Sequence, residues 1–300
     1  MKYFLLLTLF LFISSADAAP QRFLRQQIMM GDVPVTIKIV AESSQKDQVY
    51  QAMEEAFDEE RRLEKQLSEF QPESELNRLH RQAGKGATSV GADLIRLLLL
   101  SQKVSELTQG AFDITFASKD RSTSYRDIEI DSAENKVTLK KKRTWLGVSG
   151  IAKGYIIDRM IDVLHRRNFP NALVNGGGDL RATGVDLQGA WKIGIQDPGA
   201  PRGEKVCNLR LSNLAVSTSG AYERGPHIVN PKTKEPVHYW RSVSVFAEEA
   251  GFADGLATGG FVMGPAAITT LSQIQGIGAV LIDSQGKVTT LGAITAACFQ

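Results

Sequence analysis

The sequence predicts an α+β fold for residues 20–300, which follow an export signal at residues 1–19. Segments with helical periodicity and segments with strand-like periodicity are both plentiful, and they do not alternate strictly along the chain. Strict alternation would favour a doubly wound parallel sheet, whereas the observed order favours α+β. A chain of this length can bury a large core, either as one domain or as two closely joined lobes.

The start of the chain has the layout of a secretory signal peptide. Lys2 supplies a positive charge, residues 4–13 form an almost unbroken apolar run, and residues 14–19 supply small residues in an Ala-x-Ala pattern. The apolar run is well short of the roughly 20 residues that a membrane-spanning helix needs. We therefore expect an exported, periplasmic protein, with a retained membrane anchor as the alternative.

Charge and cysteine content exclude several classes of function. The chain has 35 Lys and Arg against 33 Asp and Glu, and its one dense basic run, residues 140–143, is not accompanied by a nucleic-acid-binding module. We therefore expect no nucleic-acid partner. Cys207 and Cys298 can pair in an oxidising compartment, and the chain contains neither a CxxC nor an HExxH motif.

The first half of the chain is predicted to contain three helices and three strand segments. Residues 34–40 alternate as a strand does, and residues 46–67 and 92–108 carry apolar residues at helical spacing. Gly110 follows the second of these helices, at the position of a C-terminal glycine. A short helix from Ser74 and strand pieces at 128–130 and 137–139 complete this half.

The second half is predicted to be richer in strands. A helix spans about 150–168, and two more span about 252–263 and 265–274. The predicted strands lie at 172–174, 191–196, 206–211, 214–217, 241–247, 278–283 and 288–291.

Asp254 and Thr258 are the first candidate ligand pair. They are four residues apart on a predicted helix, so both side chains lie on one face. A carboxylate and a hydroxyl are oxygen ligands, which suit Mg²⁺ rather than zinc. Alternatively, Asp254 satisfies backbone N–H groups near the helix N-terminus and Thr258 packs beside it.

Two glycine-rich segments are candidates for contact with a phosphate group. In Gly-Ile-Ala-Lys-Gly-Tyr, at residues 150–155, the glycines begin a helix and Lys153 adds a charge. Asn-Gly-Gly-Gly-Asp, at residues 175–179, follows a predicted strand and fits either a tight hairpin turn or close approach of a ligand. Neither segment has the spacing of a P-loop or of a dinucleotide-binding GxGxxG motif.

His227 is the candidate general base, because its ordinary pKa lies near neutrality. It follows Ser219 by eight residues, but no GxSxG elbow is present, which disfavours a serine hydrolase. A packed or exposed histidine without a chemical role is the alternative.

In their order along the chain, these motifs resemble those of the ApbE-type FAD:protein FMN transferases. The resemblance covers residues 28–295 and adds Met-Gly at 30–31, Leu-Ser-Glu-Phe at 67–70, Thr-Gln-Gly-Ala-Phe-Asp at 108–113, Ser-Thr-Ser-Gly-x-Tyr-Glu-Arg at 217–224 and Ala-Asp-x-Leu-Ala-Thr at 253–258. Two departures from the family pattern are Asn230, where the family commonly has Asp, and the block at 145–152.

The resemblance implies a T-fold-like α+β architecture with a flavin cleft between lobes. It implies FAD as substrate, Mg²⁺ as cofactor and His227 as the base that deprotonates the acceptor. The implied metal ligands are Asp254, Thr258 and the backbone carbonyl of Ala152. The implied flavin-binding residues are Met30, Phe70, Asp113, Lys153, Asp158, Gly177 and Asp179.

The implied reaction is Mg²⁺-dependent transfer of FMN from FAD to a Thr or Ser hydroxyl, with release of AMP. The acceptor is expected to be an exported or membrane flavoprotein, so contact with a membrane arises only through the acceptor. Two alternatives share the same ligands: an FAD pyrophosphatase that produces FMN and AMP, and a flavin-binding protein without turnover.

Overall fold

The computed structural model describes residues 19–201, 203–220 and 228–292. Residues 1–18 of the predicted signal peptide, His227 and Cys298 lie outside the described residues. The helices are α1 (Lys46–Leu67), α2 (Glu75–Arg81), α3 (Ala92–Leu107), α4 (Ser149–Arg166), α5 (Ala250–Met263) and α6 (Ala266–Ser272). The strands are β1 (Pro20–Met29), β2 (Val33–Glu42), β3 (Thr88–Ser89), β4 (Ile128–Asp131), β5 (Lys136–Leu139), β6 (Ala172–Gly176), β7 (Asp179–Thr183), β8 (Trp191–Gln196), β9 (Lys205–Leu211), β10 (Leu214–Gly220), β11 (Trp240–Ala247), β12 (Gly278–Asp283) and β13 (Val288–Leu291).

The main sheet has eight strands in the order β1-β2-β6-β7-β10-β11-β12-β13, and every neighbouring pair is antiparallel. A small sheet, β3-β5-β4, and a two-stranded ribbon, β8-β9, are separate from it. Mixed helices and antiparallel sheets confirm the prediction of an α+β fold. None of the described helices is both long and apolar enough to cross a membrane.

The two faces of the main sheet bury different cores, because successive side chains of a strand point to opposite faces. One face packs against α1, α4 and α5, and this core includes Ile37, Val174 and Ala215. The other face packs against the β8-β9 ribbon through Trp191 and Leu209. Cys207, on β9, is disulfide-bonded.

All the predicted helices and strands are present, with end points that shift by a few residues. The prediction missed β1, β3 and β7. β1 lies at the sheet edge, and its apolar residues do not alternate with polar ones, because Leu24 and Ile28 are exposed beside the buried Phe23 and Met29. β10 continues beyond the predicted 214–217 to Gly220 and therefore includes the Ser-Thr-Ser-Gly motif.

β7 follows β6 through a two-residue turn, which is the hairpin alternative for residues 175–179. Gly177 and Gly178 have φ angles of +65° and +100°, and Gly176 pairs with Asp179. Positive φ at both central residues is typical of a type I′ hairpin turn, which glycine adopts without steric cost. The turn fixes Asp179 as the first residue of β7.

α4 and α5 pack closely because glycines remove side chains from their contact. A Cβ atom on Gly154 would lie 2.2 Å from the carbonyl oxygen of Ala250, and one on Gly251 would lie 3.1 Å from the backbone nitrogen of Tyr155. Backbone therefore faces backbone where the two helices meet, and any side chain here forces them apart.

We expect Gly154→Ala to lower the free energy of unfolding by about 2 to 3 kcal/mol, because overpacking a rigid backbone contact displaces one helix. Urea unfolding would measure the change. Gly176→Ala is the matched control, since its Cβ would lie 3.4 Å from the end of the Ile157 side chain, an ordinary contact. Equal losses in the two variants would contradict the packing argument.

Glu60, on α1, is a fully buried carboxyl group whose two oxygens have no hydrogen-bond partner of good geometry among the described residues. Burial raises its pKa to about 7, although the Met30 amide and the Arg61 guanidinium lower it in part. Because the pKa is raised in the folded state, the protonated form stabilises the fold, and this contribution is lost as the pH rises from about 4.5 to about 7.

We expect Glu60→Gln to be more stable than the parent chain at pH 8 by about 2 kcal/mol and nearly equal to it at pH 4.5. Chemical denaturation across this pH range would measure the difference. A stability difference that does not change with pH would show that Glu60 is not the group that titrates.

Candidate active site

A large cavity in the described part of the chain lies at one end of the main sheet, beside the start of α4 and along α5. Its volume is about 840 Å³, which is in the range of small-molecule sites. The β6–β7 turn, the end of β10 and the ribbon strand β8 all contribute to it. The apolar lining comes from Val33, Phe112, Phe116, Leu173, Ile193, Ile195, Val216, Ile228, Val229 and Val262.

Oxygen atoms from three elements meet on the helix side of the cavity. The Thr258 hydroxyl is 3.0 Å from the Ser219 hydroxyl and 3.4 Å from the Gly150 carbonyl oxygen. Asp254, one turn before Thr258, accepts a hydrogen bond of 3.2 Å from the Gly154 amide. A carboxylate, hydroxyls and a carbonyl form a hard donor set, which suits Mg²⁺.

Positive charge lies next to this oxygen set. Burial raises the pKa of Asp254, and the nearby Lys153 ammonium lowers it in part. Lys153 forms an ion pair with the buried carboxylate of Asp179. Lys38 and Lys192 also line the cavity, so three lysines face the space that a ligand would occupy.

Five residues that the sequence predicts for the site line this cavity: Asp113, Lys153, Gly177, Asp254 and Thr258. Asp113 is held in place because it accepts hydrogen bonds from the Thr115 hydroxyl at 2.7 Å and from the Tyr125 amide at 3.0 Å. Burial raises the pKa of Asp113, and the hydrogen bonds from Thr115 offset this only in part.

The carbonyl that the structure brings to Thr258 is that of Gly150, and not that of Ala152, which the resemblance implies. The Gly150 carbonyl contacts Thr258 and Gly150 lines the cavity, whereas Ala152 does not line it. Both residues lie in the first turn of α4, which begins at Ser149, so the contact with Thr258 is what distinguishes the two carbonyls.

Asp158, which the resemblance implies as a flavin-binding residue, does not line the cavity. Its carboxylate accepts hydrogen bonds of 2.9 Å from the Ala250 and Gly251 amides at the start of α5. Arg181, on β7, donates a third bond of 2.9 Å. Asp158 therefore caps α5 and contributes to the site only by fixing that helix.

Met30 and Phe70 lie away from the main cavity. Met30 is half-buried in the β1–β2 turn against the helix-side core, while Asp32 and Val33 after it line the cavity. Phe70 is 82% exposed and borders a second cavity of about 760 Å³. Trp145 also lines that cavity and stacks on His80, with ring centroids 4.2 Å apart.

Most lining residues were not predicted as site residues, among them Lys38, Lys192 and Ser219. Lys38 and Lys192 lie in strands whose alternation marks them as solvent-facing, and nothing in the local sequence shows that they face a cavity rather than bulk solvent. Ser219 belongs to a motif that the sequence analysis included, but its contact with Thr258 joins β10 to α5 and has no sequence signal.

Asn230 retains a structural role despite departing from the family pattern. Its side-chain oxygen accepts hydrogen bonds from the Lys232 amide at 2.9 Å and the Thr233 amide at 3.3 Å. Asn and Asp both form such turns, so the substitution preserves the backbone here.

The profile of the ApbE family matches residues 30–282. The chain belongs to the ApbE family. This confirms the family resemblance drawn from the motifs and their order.

Curated relatives and solved structures agree with the ApbE assignment. The chain is 28% identical to the FAD:protein FMN transferase of Haemophilus influenzae over 66% of this chain and 68% of the relative. It is also 28% identical to that of Treponema pallidum, over 80% and 79%. The flavin transferase ApbE from Vibrio cholerae has the same fold, with a TM-score of 0.81, 22% identity and coverage of 93% and 100%. The ApbE protein from Thermotoga maritima matches with a TM-score of 0.80, 25% identity and coverage of 93% and 100%.

We expect Asp158→Asn to lower the free energy of unfolding by about 2 to 3 kcal/mol at pH 8, because Arg181 loses its partner in a buried site. At this pH the carboxyl group, whose pKa burial raises to about 6, is ionised. Urea unfolding would measure the loss. Asp186→Asn, which breaks the ion pair with Arg22 outside the cavity, is the control and should cost less than about 1 kcal/mol.

Proposed function

We propose that this ApbE-family chain transfers FMN from FAD to a Thr or Ser hydroxyl of another protein and releases AMP. One observation carries the proposal: the cavity combines an oxygen-ligand set and a paired lysine with apolar walls. FAD has the matching chemistry, with an anionic diphosphate between two aromatic ring systems. The names of the curated relatives support the transferase class.

Residues of this chain fit a Mg²⁺ ion beside the diphosphate. The Asp254 carboxylate, the Thr258 hydroxyl and the Gly150 carbonyl would hold it, and the described residues contain no cluster of three or more His, Cys, Asp or Glu that would suit another metal. Mg²⁺ commonly binds through one or two carboxylates and takes its other ligands from water and phosphate. When bound, it neutralises diphosphate charge that would otherwise repel the incoming oxygen.

The reaction exchanges one phosphorus–oxygen bond for another. The acceptor oxygen forms a bond with the phosphorus of the FMN half, and the bond from that phosphorus to the bridging oxygen breaks. AMP leaves with the bridging oxygen, and the hydroxyl proton goes to His227, which we propose as the base. The Lys153 ammonium faces the cavity beside Asp254, where it stabilises negative charge on the diphosphate.

We propose that residues 1–19 direct export, so the acceptor is an exported or membrane flavoprotein in the periplasm. The disulfide at Cys207 supports an oxidising compartment.

The test combines the purified chain with FAD, Mg²⁺ and a candidate acceptor flavoprotein. We expect the acceptor to gain the mass of one FMN and AMP to appear in equal amount. Asp254→Asn should slow both by about 100-fold or more, because the metal loses its carboxylate ligand. Asp162→Asn changes a carboxylate that pairs with Arg159 outside the cavity and should leave both rates unchanged.

Two other results would identify a different activity. AMP release at the full rate without an acceptor would indicate an FAD pyrophosphatase. FAD that stays bound and intact with excess Mg²⁺ and every acceptor tried would indicate a flavin-binding protein without turnover.

A further inference from the structure

Lys153 reaches the cavity from α4, and a carboxylate behind it holds its ammonium group. The Lys153 side chain is 28% exposed, whereas that of its partner Asp179 is 2% exposed. Asp179 does not line the cavity, although its neighbours Gly178 and Leu180 do. A ligand in the cavity therefore meets the ammonium group and not the carboxylate.

Both oxygens of Asp179 are already engaged. Oδ2 contacts the Lys153 ammonium, and Oδ1 accepts a hydrogen bond of 3.2 Å from the Thr218 amide on β10. The type I′ turn before Asp179 and the pairing of β7 with β6 and β10 fix its backbone. The carboxylate therefore has a fixed position, and each of its oxygens already has a partner within the protein.

This arrangement matters because a free lysine side chain is mobile. Fixing the four rotatable bonds of a lysine costs about 2 kcal/mol of side-chain entropy, which a ligand must otherwise offset when it binds. Of the three lysines that line the cavity, Lys153 is the one whose ammonium forms a salt bridge with a described residue. The pair therefore prepares one cation in advance.

The position of this cation also affects Asp254. Lys153 is close enough to lower the pKa of Asp254, but its salt bridge is with Asp179. Without the Asp179 charge, Asp254 would be the nearest carboxylate to attract the ammonium group. Lysine would then compete with any cation for the Asp254 oxygens.

We propose that Asp179 is a positioning residue, which holds the Lys153 ammonium toward the diphosphate of the bound dinucleotide and away from Asp254. Asp179 itself does not touch the substrate. This inference rests on the proposed function, because it requires a ligand with a diphosphate group in the cavity.

The first test measures binding of FAD, ADP and riboflavin to Asp179→Asn by titration calorimetry in the presence of Mg²⁺ and without an acceptor. We expect the affinities for FAD and ADP to fall by about 10- to 100-fold, because both ligands carry the diphosphate. The affinity for riboflavin, which has no phosphate, should not change. An unchanged affinity for FAD would overturn the proposal, and an equal loss for riboflavin would indicate general damage to the cavity.

A double-mutant cycle gives the decisive test, since a residue that acts through Lys153 has no effect once Lys153 is removed. Lys153→Met should weaken FAD binding, and adding Asp179→Asn should weaken it no further. Independent, additive losses would show that Asp179 contacts the ligand itself or only supports the fold. Asp162→Asn, which breaks an ion pair with Arg159 on the same helix and outside the cavity, is the matched control and should leave FAD binding unchanged in both backgrounds.

The failure of this inference is distinguishable from the failure of the proposed function. A parent chain that binds neither FAD nor ADP contradicts both. A parent chain that binds FAD but transfers no FMN contradicts the proposed function alone, because the coupling of Asp179 to Lys153 is read from binding.

Discussion

The contact between α4 and α5 at Gly154 and Gly251 is the constraint on which the cavity depends. Because backbone meets backbone there, the Gly154 amide reaches the carboxylate of Asp254 and the Gly150 carbonyl lies against Thr258. One turn further along α4, Asp158 fixes the start of α5. The first three turns of α4 thus contribute a carbonyl, a cation, an amide and a helix cap, all of which depend on the same helix spacing.

The antiparallel sheet supplies the partners of these groups through its alternation. Asp179 and Arg181 are two residues apart on β7, so both point to the helix face, where they meet Lys153 and Asp158. On β10, Ser217 and Ser219 point to the same face and contact the Ala250 carbonyl and the Thr258 hydroxyl. A shift of one residue in the register of either strand would remove every one of these contacts.

Sequence reasoning succeeded where the signal is local or ordered along the chain. The helical spacing of apolar residues predicted α1 and α3 to within a residue, and the order of short motifs identified the family. It did not resolve which of two carbonyls, two residues apart at Gly150 and Ala152, contacts Thr258, or which partners the buried carboxylate of Asp158 finds. Lys38 and Lys192 could not be assigned either, because a cavity wall formed by separate strands has no signature in one strand.

The cavity has two walls that are held in place in different ways, and the β8-β9 ribbon forms one of them. Among the described strands, neither strand of the ribbon pairs with the main sheet. The ribbon contacts the sheet through the side-chain core around Trp191 and Leu209 and through a hydrogen bond of 3.0 Å from the Trp191 indole to the Thr183 carbonyl. The wall with Lys153 and Asp254 is fixed by direct contact between two helix backbones and by a hydrogen bond from the Gly154 amide. We therefore expect substitutions in the ribbon to alter the width and lining of the cavity while Lys153 and Asp254 keep their positions. Selectivity for the ligand and the chemistry of the site would then depend on separate parts of the chain.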